Sequence, residues 1–234
     1  MALSCLQLVQ TVYKRLGLNV PTAAVTSSDV QVLQMLSILE EEGQEQANRY
    51  AWQVLQREAT FTTVATQVQT QLSAITSGFD YITNDTIWNR TLRRPVYGPK
   101  SQQEWQQDKA TNINGPFNSY RVINNAINFY PIPVAGQVCF FEYISRAWIQ
   151  GVNPTTTFVA DTDVILLDDQ ITILGLLWRW KSMKGLDYSQ DFQNYEARIN
   201  NAMGRDASKP VLNMNGAMYD ILPVIAVPRG SWGS

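Results

Sequence analysis

The sequence predicts an α+β fold in which helices from both ends of the chain form a bundle and a β-rich domain is inserted between them. Apolar residues recur at helical spacing before about residue 50 and again between residues 168 and 205, whereas β-branched and aromatic residues alternate in the middle. The last residues are apolar without either period. We therefore divide the chain into an N-terminal helical arm (1–56), an inserted β-rich domain (57–150), a C-terminal helical pair packing on the N-terminal helices (151–208) and an extended docking arm (209–234).

Capping boxes predict the helices of the first segment. Ser4 and Gln7 fit the N-cap and N3 positions of one box, and Gly17 is placed to end that helix. Ser28 begins the same pattern before a second helix, which we expect to run to about residue 50. We interpret the three glutamates at 40–42 inside it as a solvated face.

Extended stretches predict antiparallel strands in the middle segment. Residues 120–130 read as a hairpin around the two-residue turn Asn124-Asn125, and the stretch 137–145 is apolar on both faces, as expected of a central or covered strand. The other expected stretches are a strand at 57–64, a second strand or polar edge at 66–75, and two short runs within 79–99.

Two helices are predicted near the end of the chain. Asp168 or Asp169 caps a strongly apolar helix that Gly185 ends, and Asp187 caps the next helix. We expect this pair to pack on the helices of the first segment.

Composition excludes several kinds of chemistry. The 234 residues contain no histidine, which removes Ser-His-Asp and Cys-His catalysis and any histidine-based zinc site. Cys5 and Cys139 are isolated, so we expect core thiols rather than a bridge or metal ligands. No phosphate-binding loop is present, and we expect no cofactor.

Charge and hydropathy limit the possible partners. The net charge of −2 gives no general attraction to nucleic acid or to anionic membranes. The N-terminus lacks the basic and apolar regions of a signal peptide, and no apolar run reaches the ~18 residues of a membrane span. We therefore predict cytoplasmic synthesis and no membrane partner.

Four aspartates are the candidates for carboxylate chemistry. Asp161, Asp163, Asp168 and Asp169 could form a pair for glycoside hydrolysis or a metal site. Loop solvation and helix capping account for them more simply, and we favour that interpretation.

Three arginines in the stretch 79–99 are candidate contact residues. Arg90, Arg93 and Arg94 lie between Asp85 and Glu104 with no intervening acid. They could contact a nucleic-acid backbone or pair with carboxylates of a neighbouring subunit. Because the chain is acidic overall, we favour the subunit interface.

The extended arm has the composition of a segment that docks on another surface. A flexible linker would be polar, whereas this arm is rich in large apolar side chains, which are costly to expose. We favour a surface on another chain over one on its own fold. The predicted docking residues are Val211, Leu212, Met214, Met218, Tyr219, Ile221, Leu222, Val224, Ile225, Val227 and Trp232.

Several sequence patterns resemble the head–tail adaptor proteins of tailed bacteriophages, the head completion or tail tubular A-like connectors. The resemblance covers about residues 1–206 and is architectural rather than catalytic. Its pieces are YAW at 50–52, EATFTT at 58–63, NDTIWNRT at 84–91, RRPVYGP at 93–99, EWQ at 104–106, LLWRW at 176–180 and KGLDY at 184–188.

The resemblance implies a non-enzymatic virion subunit made in the host cytoplasm and located at the head–tail junction. Such adaptors form a ring, usually of twelve copies, beneath the portal protein, and they present a platform for a downstream tail or nozzle protein. Genomic DNA passes through the ring without sequence-specific binding. In several relatives a C-terminal extension climbs onto the portal, a role for which the arm is suited, although a neighbouring adaptor subunit could also receive it.

Two other functions stay open at this point. One is another ring- or tube-forming tail protein, such as a tail terminator or tube subunit, which would be mainly β structure; the helical segments argue against it. The other is a carboxylate-dependent cell-wall glycosidase that uses the four aspartates.

Overall fold

Helices lie at both ends of the chain and antiparallel sheets in its middle. The computed structural model describes residues 3–111, 115 and 117–206. Its helices are α1 (Cys5–Leu16), α2 (Val30–Arg49), α3 (Leu72–Ile75), α4 (Gln102–Thr111), α5 (Asp169–Met183) and α6 (Ser189–Asp206), with a 3₁₀ turn at Gln53–Leu55. The mixed α+β class predicted from the sequence is confirmed. The predicted arm at 209–234 lies outside the described residues.

The strands form three antiparallel sheets. The largest has the order β1-β8-β4-β5, with β3 also paired to β8, and the others are β2-β7-β6 and β9-β10. The strands are β1 (Gln56–Thr62), β2 (Val68–Gln71), β3 (Phe79–Ile82), β4 (Trp88–Asn89), β5 (Arg94–Pro95), β6 (Ser119–Ile123), β7 (Ala126–Tyr130), β8 (Val138–Ser145), β9 (Ile149–Gln150) and β10 (Val164–Ile165).

The two predicted capping boxes of the first segment have different outcomes. The Ser4 hydroxyl accepts a hydrogen bond from the Gln7 amide at 3.3 Å and the Gln7 side chain accepts one from the Ser4 amide at 3.0 Å, so the first box is confirmed. The second box is wrong. Asp29, not Ser28, is the N-cap of α2, and its carboxylate accepts from the Gln31 amide at 2.9 Å. A carboxylate one residue later caps the helix directly, so the serine is not needed.

The helical core is centred on α5, which packs against α1, α2 and α6. Its fully buried side chains include Leu8, Met35 and Leu176, and Trp148 enters it from the loop between β8 and β9. The Trp148 ring lies against Gly43 of α2, where an added Cβ would stand 2.2 Å from the ring. The glycine is therefore required for the tryptophan to reach the core.

The interpretation of residues 40–42 as a solvated face is wrong for one of the three glutamates. The Glu42 side chain is completely buried, and the Arg179 Nε of α5 donates to it at 2.6 Å. Gly175 makes room for it, because a Cβ there would stand 2.3 Å from the carboxylate. Periodicity along α2 does not show that an arginine on another helix faces this position.

Arg179 collects three carboxylates. It also contacts Glu41 at 2.7 Å and Glu45, both of which are at least half exposed. Burial lowers the pKa of Arg179, but its hydrogen bonds and the charges of Glu42 and Glu45 raise that pKa by more, so the guanidinium stays charged. Gln46 donates to the second Glu42 oxygen at 2.6 Å. We call Glu41, Glu42, Glu45, Gln46 and Arg179 the Arg179 cluster.

A second core lies between the sheets of the middle segment. The predicted hairpin is confirmed: β6 pairs with β7, and Asn124 and Asn125 have φ angles of 50° and 56°, as a type I′ turn requires. Strand β8 is central, with β1 on one side and β3 and β4 on the other. The buried members of this core include Phe61, Ile127, Phe129, Cys139 and Phe141.

Two strand predictions need correction. Of residues 66–75, only Val68–Gln71 is a strand, and Leu72–Ile75 forms a helical turn that buries Leu72 completely. One face of β8 is buried through Cys139, Phe141 and Tyr143, but on the other face Val138 is exposed. That face is only partly covered.

Candidate functional site

The four candidate aspartates serve the backbone. One oxygen of Asp161 accepts from the amides of Ala24 and Val25 at 3.1 and 2.7 Å. One oxygen of Asp163 accepts from the amides of Val159 and Ala160, both at 2.8 Å. The Asp161 bonds hold the loop before β10 against the chain between α1 and α2, and the Asp163 bonds fix the loop internally.

Asp168 and Asp169 fix the start of α5. Asp168 is its N-cap and accepts from the amides of Gln170 and Ile171, while Asp169 accepts from the Leu3 amide at 3.1 Å. Burial raises the pKa of Asp169, and the neighbouring Asp168 raises it further. The capping interpretation is confirmed for Asp168, and the same atoms give the glycosidase alternative no support.

Arg90 has partners within its own chain. Its guanidinium donates to Glu58 on β1 at 2.9 Å and lies 3.2 Å from the centre of the Phe140 ring. The side chain therefore covers the half-open face of β8. A subunit-interface role for Arg90 stays a prediction.

Arg93 and Arg94 lie at the edge of the largest sheet. The hairpin of β4 and β5 places them there, and the Asn89 side chain closes its turn by accepting from the Leu92 amide at 2.9 Å. Arg93 has a φ of 55°. Within the described part of the chain it makes no ion pair. Arg94 lies 5.8 Å from the centre of the Phe117 ring.

Exposed apolar side chains surround the two arginines. Tyr97 stacks edge-on against Phe117 with 5.5 Å between the ring centres, and Leu92 sits in the adjoining turn; all three are more than 40 % exposed. Arginine and aromatic side chains together are typical of protein interfaces. We call Leu92, Arg93, Arg94, Tyr97 and Phe117 the arginine–aromatic patch.

Sequence patterns alone do not predict the apolar half of this patch. Tyr97 lies in the stretch 79–99, for which the sequence predicts only two short extended runs. Phe117 lies twenty residues further along, and the bridge between Tyr97 and Ser119 brings it beside Arg94. No local signal in the sequence joins them.

Neither cysteine is placed for chemistry. Burial raises the pKa of the Cys5 and Cys139 thiols to about 12, so both stay protonated at neutral pH. In the described ranges, no group of three or more cysteine, aspartate or glutamate side chains could hold a metal ion. No helix there is long and apolar enough to cross a membrane.

The comparison with known families supports the adaptor interpretation. A family model described as SU10 adaptor protein matches residues 4–217. The chain belongs to this family. Its members are phage head–tail adaptors, so this chain is a structural protein of a bacteriophage virion. Among curated proteins, none matches the chain.

The extent of the match bears on the arm. The family model continues eleven residues beyond the end of α6 at Asp206 and stops at residue 217. The docking residues predicted between 211 and 232 therefore fall on both sides of this limit. All of them lie outside the described residues, and their role stays a prediction.

Proposed function

We propose that this SU10 adaptor forms a ring of twelve copies beneath the portal, joins the capsid to the tail and surrounds the channel through which DNA leaves. The observation that carries the proposal is the family match over residues 4–217. The number twelve, the portal and a downstream tail or nozzle protein come from the resemblance.

The proposal assigns the four segments different tasks. Residues 1–56 and 151–208 would build one helical bundle as the body of the subunit, and 57–150 would form an inserted domain. The arm at 209–234 would dock on the portal.

Ring closure needs two different surfaces on each subunit that fit each other, because a cyclic interface is head-to-tail. The chain supplies a charge difference for this. Lys and Arg outnumber Asp and Glu in 57–150, and the reverse holds in the two helical segments. The arginine–aromatic patch combines exposed apolar side chains with two arginines, and we assign it to the subunit interface.

Charge reversal of the patch tests the ring. Arg93→Glu with Arg94→Glu should leave the monomer folded and abolish rings, as measured by sedimentation velocity and by imaging with the portal. Lys14→Glu with Arg15→Glu reverses two exposed charges on α1 and is the matched control. Rings that survive the patch variant, or a monomer that unfolds, would reject the assignment.

Deletion of residues 209–234 tests the arm. The shortened subunit should still fold and should lose binding to the isolated portal. Portal affinity equal to that of the full chain would reject the docking role.

A further inference from the structure

A cleft of about 560 Å³ opens where α6 ends. Its volume is within the range of binding pockets for small ligands and side chains. Its apolar lining consists of Trp52, Val54, Leu166, Leu167, Ile171 and Ala202. Val54 is 42 % exposed, so part of this lining is open to solvent.

The chain leaves the described structure at the edge of this cleft. Asp206, the last residue of α6, is itself part of the lining. Its carboxylate accepts from the Gln53 amide at 2.9 Å and its carbonyl accepts from the Gln53 side chain. These two bonds fix the end of α6 beside the 3₁₀ turn, and the chain continues to residue 207 from that point.

The next residues are suited to enter the cleft. Ala207 and Ser208 are small, Lys209 and Pro210 follow, and Val211 and Leu212 are the first large apolar side chains after Asp206. Five residues of extended chain span at most roughly 17 Å. Val211 is therefore within reach of the cleft, because Asp206 itself lies in the cleft lining.

The family match divides the chain after Asp206 into two parts. It includes residues 207–217 and excludes 218–234. A role shared by adaptors, such as anchoring the arm on the subunit's own body, fits the first part. A contact with a particular partner fits the second.

We propose that Val211 and Leu212 of the same chain fill the cleft, so that the start of the arm is anchored on its own subunit and only the residues after Leu212 remain for a partner. The charged side chains of the lining, Asp168 and Asp206 against Arg198 and Arg205, balance one another, so the apolar residues are what would hold Val211 and Leu212. The anchor concerns the arm that we assign to the portal but does not require that assignment, because it forms in the isolated subunit.

Disulfide trapping tests the anchor without any portal. In the isolated full-length protein, Val54→Cys with Leu212→Cys should give a disulfide within one chain under mild oxidation, identified by peptide mass and by monomer mobility on a non-reducing gel. Cys5 and Cys139 are buried and should not compete. Val152→Cys with Leu212→Cys is the matched control, since Val152 is fully exposed and does not line the cleft.

The outcomes separate the possibilities. A within-chain disulfide at least tenfold more abundant for position 54 than for 152 supports the anchor. Equal yields, or none at either position, overturn it. A disulfide between two chains also overturns it, because the arm then occupies the cleft of a neighbouring copy.

A blocking substitution gives a second readout. Ala202→Trp fills the cleft from α6, whereas Ala197→Trp places the same side chain on an exposed face of that helix. Ala202→Trp should raise amide hydrogen exchange at 209–214 at least tenfold, and Ala197→Trp should leave it unchanged. If the amides at 209–214 already exchange without protection in the parent protein, the anchor is overturned, whatever the portal assay shows.

Discussion

The helical core and the β core bury different kinds of polar groups. In the described part of the chain, the buried charged residues Glu42, Asp163 and Arg179 belong to the helical half. The buried polar residues of the β half, such as Thr63, Asn89 and Asn128, are neutral.

The difference follows from how each core is aligned. Strand register is fixed by the backbone hydrogen-bond ladder and by turns such as Asn124-Asn125. Helices have no ladder between them, and apolar faces alone tolerate rotation and sliding. The Arg179 cluster favours one alignment of α2 and α5, because a shift leaves the buried Glu42 carboxylate without its cation. A charged cluster can therefore fix the position of one helix against another, whereas the strands of a sheet are aligned without buried charges.

The largest effect should come from breaking the Arg179 cluster. Arg179→Met leaves the Glu42 carboxylate buried without its cation and should lower the free energy of unfolding by about 3–5 kcal/mol. Urea denaturation at neutral pH measures it. Arg198→Met is the control, since Arg198 lies 3.8 Å from Asp168 with both side chains 47 % exposed, and it should cost at most about 1 kcal/mol. Equal losses of unfolding free energy for Arg179→Met and Arg198→Met would show that the cluster does not align the core.

Removing both charges sharpens the same point. Glu42→Met with Arg179→Met should recover most of the lost free energy, because apolar replacements of a buried pair are often neutral or stabilising. If the cluster selects the packing of α2 on α5, this double variant should unfold less cooperatively. A parent-like denaturant slope together with parent-like near-UV circular dichroism would contradict an aligning role.

The next effect concerns the closest contact in the helical core. Gly43→Ala drives a methyl group into the Trp148 ring and should cost about 1–3 kcal/mol. The same change at Gly204 of α6 meets nothing within 4 Å and should stabilise by roughly 0.5–1 kcal/mol through helix propensity. Thermal unfolding separates the two, and shifts of the same sign would argue against tight packing at Gly43.

A turn substitution tests what aligns the β core. Asn125 has a φ of 56°, so Asn125→Ala should cost about 1 kcal/mol, whereas Asn125→Gly should be tolerated. Denaturant titration gives the difference between the two variants. If alanine and glycine are equivalent, the turn does not contribute to the register of β6 and β7.

The smallest effect is the pH dependence that two aspartates of the helical half contribute to stability. The folded-state pKa of Asp169 is raised, so its contribution to stability is fully present below its ordinary value of 3.8 and is lost as pH rises through the folded value. Relative to the parent, Asp169→Asn should therefore be more stable at about pH 6 than at about pH 3.

A second aspartate, Asp187, should give a pH dependence of stability with the opposite sign. Hydrogen bonds from the Ser189 amide and hydroxyl lower the pKa of Asp187, so its stabilising contribution exists above 3.8 and is lost as pH falls. Asp187→Asn should be the less stable variant at about pH 6 and equal to the parent at low pH. Parallel pH profiles for the two variants would contradict both assignments.

Local chemistry in the sequence determined the elements whose signals are close together in the chain. The capping box of Ser4 and Gln7, the Asn124-Asn125 hairpin, the central strand β8 and the cap at Asp168 each depend on residues a few positions apart. The mixed α+β class follows from the same periodicities. The family resemblance, drawn from short patterns spread along the chain, is confirmed by the match over residues 4–217.

Only the tertiary structure decided which distant residues meet. Glu42 faces Arg179 across 137 positions of sequence, and Phe117 joins Arg94 because a bridge between Tyr97 and Ser119 brings two segments together. Leu72 lies in a helical turn instead of the expected strand, and its side chain is fully buried there. The period of apolar residues shows which face of a helix or strand is apolar. Which other segment packs against that face depends on the fold of the whole chain.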